Sequence, residues 1–495
     1  MADKGGHPGG QGRAPEAGGC DRIRNVALVG HSGAGKTTLV EALLTATGTL
    51  QRAGRVEDGT TVSDFDEVEV RQRRSVNLAL APFSYDGVKI NLIDTPGYAD
   101  FVGDLRAGLR AADAALFVIS AVDGIDGLTR MLWDECAAVN MPRAIVITKI
   151  DQQRGDFDDV VLTCQDVFGE GVAPLYFPVG GEGGLKGLIG LLTQRCFDYS
   201  TGARVECEPD PQYAEQMAEQ RASLIEGIIQ ESEDESLMDR YLSGEELNVK
   251  SLIGDLETAV ARGSFYPVLA TSVPHGDHSG PVIGMLELLE VISQAFPSPL
   301  EHGIPPVTPV KGGPPREVAC DPEGPLVAEV IKTTSDPYVG RISLVRVFSG
   351  TLRPDTQVHI SGHGMEDRGH EDHDVVERVG ALTSPLGKTQ RTASSCIAGD
   401  ICAVAKLTRA ETGDTLSDPA SPVVMTPWTM PDPLLPVAIR AKSKADEDKL
   451  GQALSRLVAE DPTLRLENNS ETRQLVLWSM GEAHADVLID RLRSR

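Results

Sequence analysis

Residues 25–44 read NVALVGHSGAGKTTLVEALL and decide the fold of the first part of the chain. The apolar start predicts a strand, a glycine-rich turn follows, and the apolar spacing after it predicts an amphipathic helix. The turn contains Gly30-x-x-x-x-Gly35-Lys36-Thr37, the pattern of a phosphate-binding loop when it lies between a strand and a helix. We therefore predict an α/β P-loop domain.

Each residue type in this loop has a physical task. Gly33 and Gly35 let backbone amides curl around phosphates, and the helix N-terminus adds the positive end of its dipole. Lys36 can reach the terminal phosphates, and the Thr37 hydroxyl is placed to bind Mg²⁺. The predicted nucleotide-binding residues of the loop are Gly30, His31, Ser32, Gly33, Ala34, Gly35, Lys36, Thr37 and Thr38.

A second motif, VKINLIDTPG at residues 88–97, also ends an apolar strand. Asp94 at the strand end is suited to hold the Mg²⁺ shell through water, and the Gly97 amide can meet a γ-phosphate. Thr95 and Pro96 complete this loop. The predicted catalytic set consists of Lys36, Gly97 and Tyr98, which directly follows Gly97.

Two further strand ends suit recognition of a base. PRAIVITKID (142–151) places Thr148, Lys149 and Asp151 after a strand, and the Asp151 carboxylate can accept from two donors of guanine that adenine lacks. PVLATSV (267–273) ends in Ser272 and Val273, whose backbone N–H groups could contact the base oxygen. Four motifs in chain order predict GTP or GDP with Mg²⁺ as the ligands. A P-loop ATPase with a coincidental Asp151 is the alternative.

Composition limits the class of protein. The chain has 495 residues, a formal net charge of −27 and eight cysteines without C-x-x-C spacing. The acidic balance argues against a coat on nucleic acid, which needs clustered Lys and Arg, and we expect no DNA partner. The scattered cysteines predict reduced thiols in a cytoplasmic protein, and the lack of an apolar run near the roughly 18 residues of a membrane helix predicts no membrane partner. We also expect a monomer.

These motifs resemble those of a translational GTPase of the elongation factor G family, and within it the elongation factor G-like paralogue that some bacteria carry. About 120 residues separate Asp151 from Ser272, far more than a usual connection. The sequence PLYFPVGGEGGLKGLIGLLTQRCFDY (174–199) begins a stretch that is similar to the family's inserted subdomain. The resemblance covers residues 22–495 and implies the ribosome as partner, through local contacts to its RNA and proteins.

The same resemblance divides the chain into domains. PLVAEVIKTTSDPYVGRISLVRVFSGTLRPDTQVHISG (325–362) is similar to the β-barrel second domain, and residues 446–492 are similar to the third, a ferredoxin-like βαββα unit. The third domain is expected to be incomplete, because the chain ends in a helix before the strand that would close its sheet; a fragment and a natural truncation both fit. The expected limits are a disordered tail at 1–21, a GTP-binding domain at 22–307 with an insert at about 155–263, a barrel at 308–430 and the third domain at 431–495.

Three positions depart from the family pattern. Ser75, in RQRRSVNLA (71–79), stands where the family has a Thr that ligates Mg²⁺, and Gly33 stands where it usually has an Asp. Tyr98 stands where the ribosomal members have a His thought to orient the attacking water. A phenol can share hydrogen bonds but supplies no positive charge beside the reacting phosphate.

The resemblance therefore implies a GTP-binding translation factor acting in elongation, translocation or ribosome disassembly, with slow hydrolysis. Adequate replacement of the His by Tyr98 stays open. The alternative is a GTP-binding switch, or a regulator that occupies the ribosome as ribosomal protection proteins do, with little turnover.

Two other stretches have plain interpretations. HISGHGMEDRGHEDHD (359–374) brings together His359, His363, His370 and His373, and a solvated loop is favoured over a metal site. In SMGEAHA (479–485), Ser479 and Glu482 are predicted to form a capping box at a helix start.

Overall fold

The structure of the chain is a computed structural model. It describes residues 13–152, 155–181, 184–232, 236–243, 247–274, 280–336, 340–362, 364–368, 370 and 372–494. Within this part of the chain, no helix is both long enough and apolar enough to span a bilayer.

The first part of the chain is an α/β unit. Its strands are β1 (Ile23–Val29), β2 (Ala79–Tyr85), β3 (Val88–Asp94), β4 (Ala114–Ser120), β5 (Arg143–Thr148), β6 (Val172–Pro174), β7 (Tyr176–Gly181), β8 (Gly184–Gly190), β9 (Arg195–Asp198), β10 (Val205–Cys207) and β11 (Tyr266–Ala270). Its helices are α1 (Lys36–Ala46), α2 (Glu67–Gln72), α3 (Val102–Ala111), α4 (Gly127–Ala138), α5 (Phe157–Phe168), α6 (Ala214–Glu231), α7 (Ser236–Leu242), α8 (Val249–Ala261) and α9 (Met285–Gln294). Short 3₁₀ turns cover Cys20–Arg22, Ala99–Phe101 and Pro211–Tyr213.

The main sheet has the strand order β2-β3-β1-β4-β5-β11-β6. Its strands pair in parallel except for β2, which runs antiparallel to β3. Every residue of β1, β3, β4 and β5 is buried, as expected for parallel strands covered on both faces. Such a sheet gathers the carboxyl ends of its strands at one edge, where loops can build a site.

The long connection between the neighbouring strands β5 and β11 holds a second sheet. It is antiparallel, with the order β10-β9-β8-β7, and the helices α6, α7 and α8 follow it in the chain. Apolar residues of this sheet and of these helices belong to the same buried cluster as the main sheet. The connection therefore packs as an extension of the α/β core.

The middle part of the chain is almost entirely β. Its strands are β12 (Val307–Pro309), β13 (Val327–Asp336), β14 (Gly340–Ser349), β15 (Thr351–Leu352), β16 (Gln357–Ser361), β17 (Asp374–Arg378), β18 (Leu382–Leu386), β19 (Thr389–Ala393), β20 (Cys396–Ile397), β21 (Ile401–Ala405), β22 (Thr415–Ser417) and β23 (Val423–Met425), with one 3₁₀ turn at Glu366–Arg368. Eight of them form one antiparallel sheet in the order β17-β16-β22-β13-β14-β21-β18-β19. The sheet encloses its own apolar core, in agreement with the barrel-like second domain predicted from sequence.

The last part is a small α+β unit. It contains β24 (Leu435–Ile439), a 3₁₀ turn (Lys444–Asp446), α10 (Glu447–Glu460), β25 (Arg465–Asn469), β26 (Gln474–Ser479) and α11 (Glu482–Ser494). The strand order β24-β26-β25 is antiparallel and the two helices pack on it around Leu454, Leu457 and Leu488. This is the predicted βαββα pattern.

The predicted capping box at the start of α11 is wrong. The Ser479 hydroxyl lies within β26 and donates to the carbonyl oxygens of Leu435 and Gly481, each at 3.4 Å. The helix is capped instead by Asp100, whose Oδ2 accepts from the backbone N–H of Ala483 at 2.9 Å. A carboxylate there satisfies a free helical donor and opposes the helix dipole. The cap therefore comes from a residue 383 positions earlier in the chain.

Buried ion pairs join the α/β unit to the barrel. The Arg346 guanidinium donates to both carboxylate oxygens of Asp113, at 2.9 and 3.1 Å. Lys89 pairs with Asp400 at 2.7 Å, and Arg110 pairs with Glu329 at 2.6 Å. A buried charge that loses its partner costs far more than an exposed one, so these pairs make separation of the two units costly.

We predict that Arg346→Ala strongly destabilises the protein, because it leaves the Asp113 carboxylate buried without its cation. The expected loss is about 3–5 kcal/mol, measured as a shift of the first unfolding transition in urea. Arg378→Ala is the matched control. Arg378 also pairs with an aspartate, Asp355 of the barrel, but the Arg378 side chain is 70% exposed. That change should cost under about 1 kcal/mol. Equal shifts for both variants would contradict the prediction.

Candidate functional site

A cavity of about 390 Å³ lies where the predicted motifs meet, beyond the carboxyl ends of β1, β3, β5 and β11. This volume is in the range of small-molecule sites. The residues that line it are Ser32, Gly33, Gly35, Lys36, Thr37, Thr38, Leu39, Val56, Glu57, Asp64, Arg73, Arg74, Ser75, Gly97, Thr148, Lys149, Gln152, Thr271 and Val273. Some of the predicted site residues are not part of this lining, namely Gly30, His31, Ala34, Asp94, Thr95, Pro96, Tyr98, Asp151 and Ser272.

The P-loop takes the conformation that its glycines permit. Gly33 and Gly35 have φ values of 83° and 97°, in the left-handed region that side chains with a Cβ avoid. Gly35 immediately precedes α1, so the amides of the first helical turn point into the cavity edge. Ala34 is buried, and His31 holds the loop through a 2.8 Å contact between its Nδ1 and the Ser32 carbonyl.

Lys36 lies under this loop. Its Nζ donates to the carbonyl oxygens of Gly30 at 2.7 Å and His31 at 3.1 Å. Burial lowers the pKa of Lys36 to about 8, although the charges of Asp94 and Asp64 oppose the shift. A desolvated ammonium held by neutral carbonyls is a strong site for an anion, because phosphate oxygens would stabilise its charge far better.

Three oxygens meet beside Lys36 and suit a magnesium ion. The Thr37 hydroxyl donates to Asp94 Oδ2 at 2.8 Å and lies 3.3 Å from the Ser75 hydroxyl. Asp94 is buried, and its second oxygen, Oδ1, has no hydrogen-bond partner among the described residues. Hard oxygen ligands are those Mg²⁺ prefers, and an unsatisfied carboxylate oxygen fits a role in its shell. The predicted metal residues are thus brought together.

Asp64 is a site residue that the sequence analysis missed. It is buried and lines the cavity near Asp94 and Lys36. Burial raises the pKa of Asp64 to about 6, and the neighbouring charge of Asp94 adds to the shift. Burial also raises the pKa of Asp94, against the pull of Lys36. A lone Asp outside any motif gives no sequence signal, since only the fold brings it close to the residues predicted to bind the metal.

Gly97 touches the P-loop directly. The Ser32 N–H donates to the Gly97 carbonyl at 3.0 Å, and a Cβ on Gly97 would lie 2.5 Å from the Ser32 nitrogen. No other residue type fits at this position without moving one of the two loops. Thr95 supports the turn from below, donating from its hydroxyl to the Leu28 carbonyl at 2.6 Å, and Pro96 follows it.

The opposite end of the cavity carries the predicted base-binding residues. The Thr148 hydroxyl donates to the Ala34 carbonyl at 2.6 Å and so ties the β5 loop to the P-loop. Lys149 lines the cavity, with φ at 58° and its Nζ 3.2 Å from Asp123 Oδ2. Asp151 is exposed and lies in the chain between Lys149 and Gln152, which both line the cavity, but it is not itself part of the lining.

The predicted base contact through Ser272 needs a correction. Its backbone N–H donates to the Ile283 carbonyl at 3.1 Å, and Ile283 returns a bond at 2.9 Å, so this donor is already used. Val273 lines the cavity. Of the two residues predicted to contact the base oxygen through a backbone N–H, only Val273 therefore stays a candidate. The sequence could not show this, because the partner strand segment pairs only after folding.

Tyr98 faces away from the cavity lining and into a small apolar cluster. The cluster consists of Val68, Val76, Phe101 and Val487, with Tyr98 and Ala483 packed against it. The Arg74 guanidinium carbon lies 5.0 Å from the centre of the Tyr98 ring, a cation–π distance. Tyr98 is thus held between an apolar cluster and one arginine.

The segment that carries Arg74 and Ser75 is shaped by α2. Asp66 and Glu69 form a capping box at the start of this helix. The Glu69 carboxylate also accepts from the backbone N–H groups of Val76 and Asn77, each at 3.0 Å. One buried glutamate therefore holds both ends of the segment and fixes Ser75 near Thr37.

Comparison with known proteins identifies the three parts in chain order. The elongation factor Tu GTP binding domain matches residues 21–298, elongation factor G domain 2 matches 325–419, and elongation factor G domain III matches 430–495. The chain belongs to the elongation factor G family. Its α/β unit is therefore a guanine-nucleotide-binding domain of the elongation factor Tu type.

Individual relatives agree with the family. The chain is 58% identical over 501 residues to a protein described as "Elongation factor G-like protein" in two strains of Mycobacterium tuberculosis, CDC 1551 / Oshkosh and ATCC 25618 / H37Rv. The alignment covers 100% of this chain and 69% of each relative. A crystal structure of a protein from Thermus thermophilus superimposes with a TM-score of 0.81 at 35% identity, over 96% of this chain and 66% of that one. The chain thus spans about two thirds of the length of these proteins.

The prediction of a solvated loop for the histidine-rich stretch is wrong where the stretch is described: His359 lies in β16, and His359, His370 and His373 are buried beside carboxylates. His359 lies 2.7 Å from Asp374, His370 lies 3.0 Å from Glu411 and His373 lies 2.8 Å from Asp414. His363 is outside the described residues. Among those that are described, no group of three or more His, Cys, Asp or Glu side chains could hold a metal ion.

We predict that Lys36→Ala weakens binding of both GTP and GDP by more than about tenfold, since a charge-assisted phosphate contact is lost. Thr37→Ala should instead reduce the part of the affinity that depends on Mg²⁺. Titration of a fluorescent nucleotide with and without Mg²⁺ separates the two effects. Lys250→Ala, which removes an exposed lysine on α8, is the control. Binding by Lys36→Ala that equals the wild type would contradict this interpretation of the loop.

Proposed function

We propose that this protein binds GTP and GDP with Mg²⁺ and acts on the ribosome as a translation factor, hydrolysing GTP slowly. The observation that carries the proposal is that Lys36, Thr37, Gly97 and Lys149 line a single cavity, with Asp94 hydrogen-bonded to Thr37 behind this lining. Phosphates would lie over the P-loop and the base near Lys149 and Asp151. Thr37, Ser75 and Asp94 would hold the metal, directly or through water.

Each part of the site has a defined chemical task in phosphoryl transfer. Loop amides and Lys36 would bind the phosphates, and a Mg²⁺ ion held by Thr37, Ser75 and Asp94 would supply further positive charge for phosphoryl transfer. The Gly97 amide would sense a third phosphate, and the hydrogen bond from the Ser32 N–H to the Gly97 carbonyl supports this by holding the peptide next to the P-loop. Family membership supports the ribosome as the place of action, in elongation, translocation or ribosome disassembly.

The rate of hydrolysis is proposed to be low because of Tyr98. The ring packs in an apolar cluster, and its hydroxyl cannot offer the charge of an imidazolium. This packing also favours a second candidate function, a GTP-binding switch that occupies the ribosome with little turnover. Phosphate release in the presence of purified ribosomes distinguishes the two functions.

We predict that Asp151→Asn lowers the preference for GTP over ATP, because the variant presents a donor to donors of the guanine ring. Xanthosine triphosphate carries a carbonyl in place of the guanine amine and should gain affinity. Competition binding measures both effects. Asp166→Asn removes the same charge from an exposed position on α5 and should leave the preference unchanged. An unaltered preference in Asp151→Asn would refute its role.

We predict that Tyr98→His raises ribosome-stimulated hydrolysis by about tenfold, since it restores a group that can orient water and carry charge. Single-turnover hydrolysis at saturating ribosomes is the measurement, with GTP affinity determined in parallel. Fast turnover by the natural protein that His leaves unchanged or lowers would show that Tyr98 does not limit the reaction.

A further inference from the structure

Arg74 joins the two segments that flank the phosphate end of the cavity. It directly precedes Ser75, whose hydroxyl lies 3.3 Å from the Thr37 hydroxyl. Its guanidinium lies over the ring of Tyr98, which directly follows Gly97. Arg74 also lines the cavity. One cation therefore stands between the residue predicted to bind the metal and the loop predicted to sense the last phosphate.

The Arg74 guanidinium has more N–H donors than its described hydrogen bond uses. Its Nε donates to the Gln72 side chain at 2.7 Å, and within the described part of the chain no carboxylate forms an ion pair with it. Arg71, three residues earlier, pairs with Asp490 across to α11. An arginine has five N–H donors in a planar fork that matches phosphate oxygens. The terminal N–H groups of Arg74 can therefore turn to an anion in the cavity.

Hydrolysis of GTP needs positive charge at this place. Negative charge spreads over the γ-phosphoryl oxygens in the transition state, and an arginine supplied to them accelerates such reactions by orders of magnitude. Lys36 lies beneath the P-loop, and a phenol such as that of Tyr98 supplies no positive charge. Arg73 and Arg74 both line the cavity close to Ser75 in the chain, and Arg74 is the one whose guanidinium lies over the Tyr98 ring.

We propose that Arg74 supplies this charge within the same chain and that the ring of Tyr98 positions it. The inference rests on the proposed function. In the reaction, a bond forms between a water oxygen and the γ-phosphorus while the bond from that phosphorus to the β–γ bridging oxygen breaks. GDP leaves with the electron pair, the water proton ends on the released inorganic phosphate, and Arg74 stabilises the charge on the transferring oxygens.

The role assigned to the Tyr98 ring separates this proposal from a role for its hydroxyl. A cation–π contact needs the aromatic face and not the phenol oxygen. Tyr98→Phe keeps the aromatic face and is therefore expected to lower the hydrolysis rate less than Tyr98→Ala, which should lower it as Arg74→Ala does. Loss of the rate in Tyr98→Phe would overturn the positioning role of the ring.

The direct experiment compares Arg74→Ala and Arg74→Lys with the full natural chain in single-turnover hydrolysis of GTP, with Mg²⁺ and with and without ribosomes. Arg74→Ala is expected to lower the rate constant by at least about tenfold while the dissociation constant for GTP changes less than about threefold. Arg74→Lys should fall between the two, because it keeps the charge and loses the fork. Arg71→Ala, which removes the same charge from α2 outside the cavity lining, is the control.

The outcomes separate failure of this proposal from failure of the proposed function. A natural protein that does not bind GTP refutes the function itself. Intact GTP binding with an equal or higher rate in Arg74→Ala overturns the role of Arg74 alone. The same holds if Arg71→Ala lowers the rate as much, or if the natural protein binds GTP without releasing phosphate above the spontaneous rate. Melting temperatures of all variants identify any that fail to fold. If Arg74→Ala fails to fold, the rate constant of Arg74→Lys decides whether Arg74 has this role.

Discussion

The close approach of the Gly97 backbone to the P-loop is the constraint on which the site depends. The 3.0 Å hydrogen bond from the Ser32 N–H joins the loop after β3 to the loop after β1, and the space admits no side chain. With the two loops held together, Asp94 and Thr37 meet at 2.8 Å. A side chain at position 97 would separate the two loops, so the residues predicted to bind the metal and the phosphates would no longer lie together.

The same constraint determines how the cavity relates to the rest of the molecule. Residues directly after Gly97 belong to the nucleotide-binding domain and contact the third domain: Tyr98 and Phe101 pack with Val487 of α11, and Asp100 caps that helix. A second contact comes from the α2 segment, where Asp66 binds Arg491 at 3.0 Å. Both segments that would contact a bound γ-phosphate thus touch one helix of the third domain.

Much of the fold and of the candidate site was predictable from the sequence because it depends on residues that are close together in the chain. The P-loop, the strand ends that carry Asp94 and Thr148, and the βαββα order of the last part follow from short-range patterns of apolar residues and glycines. The missed features all depend on pairs far apart in the chain. Asp64 becomes a site residue only when its loop folds over Lys36, and the Ser272 donor is lost to a bridge with Ile283. The capping box failed for the same reason: a motif at the start of α11 suggested a local cap, and a distant carboxylate supplies it.

The strength of these contacts sets what they can do. A helix cap is worth about 0.5–2 kcal/mol, and an ion pair as accessible as that of Arg71 with Asp490 contributes less than about 1 kcal/mol. Each contact of this size is small beside the stability of a folded domain, and the packing on Val487 and the Asp66–Arg491 pair add to them. They match the coupling free energies of allosteric proteins, about 1–3 kcal/mol, which change an affinity or a population by about tenfold. Any ligand that repositions residues 94–101 therefore changes the equilibrium of the contacts made by α11. Because coupling is reciprocal, a partner that binds α11 and changes these contacts would alter the affinity for nucleotide by the same factor. The contacts around Asp100 and Tyr98 are therefore suited to transmit the state of the cavity without fixing it.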